Sequence, residues 1–242
     1  MVQGYANINE SRRLTMAINE EINSSESMQT DESLIQNCKE FCKRYRGKIF
    51  AVTNRSLVNE GCFYEQIERI GQAKPDSIIL REKDMSLSEY TLLAEKILDI
   101  ADRNNIRCIL HNFPDAAIQL NCRNIHMPLG ELKALADNGY KTHLGNDFLE
   151  HFNVIGTSVH SIDDLHLAEE LRATYVTAGH IYETDCKKGL KPRGLDFLRN
   201  ICRETSLPVY AIGGIKFDCR QIDEILNCGA SGACIMSGFM KI

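Results

Sequence analysis

Short apolar runs alternate with segments of helical period along most of this chain. The runs are KIFAVTN (48–54), SIILREK (77–83), RCILHN (107–112), NIHM (124–127), NVIGTSVH (153–160), YVTAGHIY (175–182), PVYAIGGI (208–215) and GACIMSG (232–238). Each is nearly continuous in apolar residues, the pattern of a strand covered on both faces in a parallel sheet. Between most of them lie segments with helical spacing, for example 86–104, 161–172, 193–205 and 218–228. Alternating β and α units predict a parallel sheet. Eight of them predict a closed (β/α)8 TIM barrel rather than an open, doubly wound sheet. No GxGxxG follows the first run, which weakens a dinucleotide-binding reading.

The two ends depart from a regular barrel. Residues 1–30 are polar, rich in Asn, Glu and Ser, and read as a poorly ordered arm. In residues 31–45, Leu34, Ile35, Cys38, Phe41, Cys42 and Tyr45 fall at helical spacing after an acidic start, which predicts an amphipathic helix. No helical pattern follows the eighth run, so the last helix of the barrel is expected to be missing or truncated. Helix 31–45 is then expected to cover the surface left open. The chain divides accordingly into an arm with its helix (1–46) and a barrel domain (47–242).

Composition narrows the partners. The 242 residues carry a net charge of -5, so no bulk positive field attracts nucleic acid or an anionic membrane. No apolar stretch reaches the length of a membrane span, and MVQGYANINESRR lacks the apolar core of a secretory signal. The expected location is the cytoplasm. The ten cysteines are scattered without a CxxC pair, which predicts reduced thiols serving as small hydrophobes rather than a disulfide or zinc framework.

In a barrel of this kind the chemistry gathers at the C-terminal ends of the strands. Gly213 and Gly214 end the seventh run, and Ser237 and Gly238 end the eighth. Glycine loops after the last two strands let successive N–H groups approach a phosphate; tight turning alone is the plain alternative. Arg81 and Lys83 share one side of the second strand. If that side is the interior, either an anion lies between them or a carboxylate such as Glu82 or Glu183 neutralises them. His160 at the end of the fifth run can exchange protons near neutral pH, and is as well explained as a loop histidine beside a helix start. His111, His126 and His180 read as structural. Lys187 and Lys188 read as a solvated face.

The stretch IGTSVHSIDDLHLAEELRATYVTAGHIYETDCKKGLKPRG (155–194), the loops PVYAIGGI and GACIMSGF, and the block LREKDMSLSEY (80–90) resemble the thiamin phosphate synthase/TenI family over residues 48–240. That family contains magnesium-dependent synthases, which join a pyrimidine pyrophosphate to a thiazole phosphate, and thiazole tautomerases. Synthases of the family typically read Gln-x-Arg-x-Lys on strand two, Asn-Asp after strand three, and His-x-Gly-Gln-x-Asp after strand four. Here those positions hold Ile79, Asn112-Phe113, and His126 followed by MPLGEL with Glu131 only roughly in register.

Phe113 cannot ligate a cation, so the resemblance points to the tautomerase branch: an isomerase without a cofactor that aromatises a carboxylated dihydrothiazole phosphate. Magnesium enters only in the synthase alternative, and a non-catalytic thiazole phosphate-binding regulator is a further one. The resemblance makes His160 the acid/base group. It brings Arg81, Lys83, Asn112, Ser158, Thr184 and Lys187 to the substrate, and Gly213, Gly214, Ser237 and Gly238 to the phosphate. It also implies a homodimer.

Overall fold

The computed structural model describes residues 32–58, 62–138, 148–184 and 189–242. Eight parallel strands form one closed barrel in sequence order. They are β1 (Ile49–Val52), β2 (Ser77–Leu80), β3 (Arg107–His111), β4 (Asn124–Pro128), β5 (Val154–Val159), β6 (Tyr175–Gly179), β7 (Val209–Ile212) and β8 (Gly232–Ile235). Closure comes from β1 pairing with β8, with Ile49 opposite Ala233 and Ala51 opposite Ile235. Every expected strand is present, and β2, β7 and β8 end before their apolar runs do, so Arg81, Lys83, Gly213 and Ser237 stand just beyond the ladder.

The helices are α1 (32–44), α2 (Phe63–Ala73), α3 (Leu87–Arg103), α4 (Pro114–Gln119), α5 (Leu129–Asn138), α6 (Ile162–Glu170), α7 (Gly194–Arg203) and α8 (Cys219–Asn227). Local chemistry marks their starts. Ser86 and Glu89 form a capping box on α3, Ser161 accepts from Asp164 N–H on α6, and Asp218 accepts from Arg220 N–H on α8. No helix among the described residues is long and apolar enough to cross a membrane.

Strand alternation splits the core in two. Outward residues such as Ile78, Leu80, Leu110, Ile125 and Ile155 pack beneath the helices. Inward residues Phe50, Val52, Ile79, Ile109, Tyr175 and Cys234 fill the barrel, with Tyr210 stacked on Phe50 at 4.1 Å. Tyr175 fits only because Gly156 lies opposite: a Cβ there would stand 2.2 Å from the Tyr175 ring.

After β8 the chain makes only a short 3-10 turn, Phe239–Lys241, as expected from the missing helical pattern. Helix α1 packs beside it. Cys38, Phe41, Cys42 and Tyr45 are buried. Phe41 meets Phe217 edge-on at 5.3 Å, and Phe217 meets Phe239 at 4.8 Å. The Tyr45 hydroxyl lies 2.9 Å from Asp223 and 3.1 Å from the Cys219 carbonyl, both on α8. On the other side, Gln66 of α2 donates to the carbonyls of Phe239 and Ile242. The arm, residues 1–30, lies outside the described residues. Cys38, Cys42, Cys108, Cys122, Cys228 and Cys234 are buried free thiols, and burial pushes the Cys38 thiol up to about 11. Cys186 lies outside the described residues.

Candidate active site

The C-terminal mouth of the barrel carries four groups of polar residues. The first lines a cavity of about 610 Å³ beyond β1 and β2, formed by Asn54, Arg55, Ser56, Phe63, Arg81 and Lys83 with their neighbours. Glu82 lies at its base with a side chain only 2% exposed. It accepts from the Thr53 hydroxyl at 2.7 Å, from the Arg55 N–H, and from the Arg55 guanidinium at 3.2 Å. Arg55 also makes a two-pronged contact with Asp84, 2.7 Å on each arm, which raises the guanidinium's proton affinity further. Glu82, one expected partner of Arg81 and Lys83, bonds the Thr53 hydroxyl and Arg55. Arg55 escaped sequence reading because it lies past the first strand, with no spacing to tie it to Glu82.

The second group joins β2, β3 and α3. The Tyr90 hydroxyl donates to the Leu80 carbonyl at 2.7 Å and accepts from the His111 N–H at 2.9 Å. Phe113 stacks on Tyr90 at 4.0 Å, so the position after Asn112 is an aromatic plate over the end of β3. Asn112 takes a left-handed backbone, φ 63°, and its N–H donates to the His126 carbonyl. Asparagine tolerates that conformation better than most residues.

The third group lies inside the barrel. His126 sits below the mouth with 4% exposure. Its Nδ1 is 2.9 Å from the Tyr175 hydroxyl and its Nε2 3.1 Å from Ser158 Oγ. Ser158 Oγ is in turn 2.9 Å from Thr177 Oγ1. His111 stacks on His126 at 5.5 Å. Burial pushes His126 down to about 3 and His111 to about 2, with nearby Arg81 adding to both, so each ring is neutral. Tyr175 and Thr177 were absent from the sequence-level site. The available signal was their inward parity with Gly179, together with Gly156 on the neighbouring strand.

The fourth group comprises the loops after β5, β6, β7 and β8. The His160 ring stands at the mouth, its Nδ1 3.0 Å from the Gly179 carbonyl, while its N–H donates to Asp164 at 2.7 Å. Arg193 Nε donates to the same Gly179 carbonyl at 2.9 Å. That carbonyl is an acceptor, so His160 Nδ1 bears a hydrogen and donates it there. Gly213 and Gly214 both have positive φ, 103° and 72°. A Cβ on Gly214 would lie 2.2 Å from the Glu183 carbonyl. The position of a Gly238 Cβ is 2.9 Å from Phe217, so the two glycine loops lie side by side. Thr184 is half-buried at the edge of this group. Lys187 lies outside the described residues.

Small (β/α)8 barrels whose polar side chains converge on one mouth form a broad class, and this chain is one of them. It belongs to the thiamine monophosphate synthase/TenI family, whose model matches residues 49–239. A thiamine-phosphate synthase of Clostridium acetobutylicum is 30% identical over 199 residues, 80% of this chain and 87% of the relative. One from Methanococcus maripaludis is 26% identical over 198 residues, 80% and 86% of the two chains. Among solved structures, a thiamine phosphate pyrophosphorylase from Pyrococcus furiosus superposes with a TM-score of 0.65 at 22% identity, covering 81% of this chain and 89% of that one.

These relatives correct the expected activity. Curated relatives at 25–30% identity are named thiamine-phosphate synthases, which overturns the tautomerase reading. That reading let two departures, Ile79 and Phe113, outweigh a similarity that runs through the whole barrel. The structure shows why both are weak guides. Ile79 is a buried barrel-filling residue, and Phe113 packs on Tyr90, so each has a packing role of its own.

Proposed function

We propose that this chain is a thiamine-phosphate synthase, a transferase that moves a hydroxymethylpyrimidine group from its pyrophosphate to a thiazole phosphate. The observation that carries this reading is the family match along the whole barrel, with relatives of that name over four-fifths of the chain. In such a transfer the ring nitrogen of the thiazole bonds to the pyrimidine's exocyclic carbon. The carbon–oxygen bond breaks and its electron pair leaves with pyrophosphate. The protein must hold two anions, bring the reacting atoms together, and offset charge developing on the leaving group.

The described residues divide these tasks between two sides of the mouth. The glycine loops after β7 and β8 are suited to the thiazole phosphate. The N–H groups of Gly213, Gly214, Ser237 and Gly238 make no hydrogen bond among the described residues, and the three glycines carry no side chain to keep a ligand from the backbone. The cavity beyond β1 and β2 is suited to the pyrophosphate through Arg81 and Lys83, whereas Arg55, which also borders it, is engaged by Glu82 and Asp84. Asn112, Ser158 and Thr184 lie between these sides and supply polar contacts to the rings.

The residues do not fit the magnesium that the family uses. Phe113 replaces one carboxylate, and Glu131 is exposed on α5. Charge on the leaving pyrophosphate is therefore assigned to the cationic side chains.

The test is to incubate the full chain with both substrates, with magnesium and with chelator, and to measure thiamine phosphate and pyrophosphate chromatographically. Equimolar formation of both products is expected. Their absence under both conditions overturns the reading, and thiazole phosphate binding without turnover would then point to a binding protein.

A further inference from the structure

Four side chains climb the inside of the barrel in one unbranched line: Tyr175, His126, Ser158 and Thr177. Tyr175 and Thr177 are buried, at 4% and 1% exposure, whereas Ser158 reaches the half-exposed mouth. The line has a direction, which follows from counting protons. Tyr175 has one hydroxyl hydrogen, and its only hydrogen-bond partner among the described residues is His126 Nδ1. A buried hydroxyl that keeps its hydrogen undonated is disfavoured by roughly tenfold or more. Tyr175 therefore donates to Nδ1. The ring is neutral and has a single N–H, which must then sit on Nε2 and donate to Ser158 Oγ.

The same reasoning applies from the other end. Thr177 has Ser158 Oγ as its only partner among the described residues, so its hydroxyl also donates there. Ser158 Oγ thus receives two hydrogens, one from His126 Nε2 and one from Thr177 Oγ1. Its own O–H has no acceptor left inside the barrel and points at whatever fills the mouth.

We propose that Tyr175, His126 and Thr177 act as positioning residues that commit the Ser158 hydroxyl to donating, so that the mouth selects a ligand atom bearing a lone pair. A ring nitrogen, a sulfur or an anionic oxygen would satisfy it. An N–H at the same place would meet Ser158 hydrogen to hydrogen and be rejected. The burial that keeps His126 uncharged and Tyr175 protonated supports the arrangement, since either ionisation would scramble the proton count. Gly156 belongs to the device because it makes room for the Tyr175 ring. The ligand half of the inference rests on the proposed synthase reading; the direction of the chain does not.

Two measurements test the two halves. In the full-length protein, labelled with ¹⁵N at histidine, long-range proton–nitrogen correlation spectra report the tautomer of each ring, and His126→Gln identifies the His126 signals. His126 is expected to be protonated on Nε2. Tyr175→Phe should leave that tautomer in place but move the Nδ1 resonance, because the hydrogen bond to that lone pair is gone. Protonation on Nδ1 in the wild type, or an unmoved Nδ1 resonance in Tyr175→Phe, would overturn the chain's direction.

For the ligand half, calorimetric binding of thiazole phosphate and of hydroxymethylpyrimidine pyrophosphate is compared between wild type and Ser158→Ala. One of the two should weaken by roughly 3- to 10-fold, the loss of one net hydrogen bond. Equal affinities in the two proteins would refute the donor role. A wild type that binds neither would instead sink the synthase reading together with the ligand half, while the spectra still decide the direction.

Discussion

Acidification from pH 7 to pH 5 should destabilise this protein through two buried rings. His111 is 7% exposed and His126 4% exposed, and each is held neutral in the fold, at about 2 and about 3. In the unfolded chain both titrate with an ordinary value near 6.5. The unfolded state therefore binds more protons across this range, and stability rises with pH. The contribution is fully present above the unfolded value and is lost as pH falls below it, down to the folded values. Between pH 7 and pH 5 each ring costs about 2 kcal/mol, and the pair about 4 kcal/mol. A folding stability of about 5–15 kcal/mol makes that loss conspicuous. His151, also lowered by burial, adds in the same direction. Few carboxylates titrate above pH 5, so the window is dominated by histidine. Urea unfolding followed by circular dichroism at pH 7, 6 and 5 measures the effect. His126→Gln, which cannot take up the proton, should lose about half of the pH dependence. A wild-type stability at pH 5 within 1 kcal/mol of that at pH 7 would refute the reasoning.

Three further substitutions probe the rest of the structure. Arg55→Ala leaves Glu82, 2% exposed, with the Thr53 hydroxyl and one backbone N–H as partners; thermal unfolding should show a loss of about 2–3 kcal/mol, partly recovered by adding Glu82→Gln. Phe41→Ala empties the contact of α1 with Phe217 and should cost about 3 kcal/mol in a urea titration, whereas an unchanged midpoint would mean that α1 is not part of the folded core. Phe113→Asp removes the stack on Tyr90 but places a good N-cap on α4, where Phe113 makes no side-chain cap, so stability should stay within about 1 kcal/mol. In the proposed reaction the same change should make turnover respond to magnesium, read as the ratio of product formed with the metal to that formed with chelator.

The eight strands and the helices between them were legible because each is written locally. A buried strand and an amphipathic helix announce themselves within a dozen residues, and caps such as Ser86–Glu89 and Ser161 mark the starts. Arg81, Ser158, His160 and the glycine loops could be placed at the mouth by the same logic, since strand ends follow from strand positions. The amphipathic pattern of α1 was equally visible. Its general seat, beside the chain end that lacks a helix, was expected too; the individual partners, such as Asp223 for Tyr45, were not, because they lie on opposite sides of the chain's length. Activity was misjudged because the departures at Ile79 and Phe113 were weighed above the similarity that runs through the whole barrel.

What the amino-acid order determined unaided is therefore the parallel barrel, its helical cover, the end at which chemistry gathers, and the residue types available there. Only the tertiary structure decided which of them meet. Barrel closure brings β1 against β8, the Glu82 carboxylate against Arg55, and Tyr175 beneath His126 and Ser158. Periodicity fixes which face of a strand a residue occupies, but not its height relative to strands elsewhere in the sequence. That height is set by the register of hydrogen bonds across the sheet, and a shift of one residue would turn every one of these side chains to the opposite face.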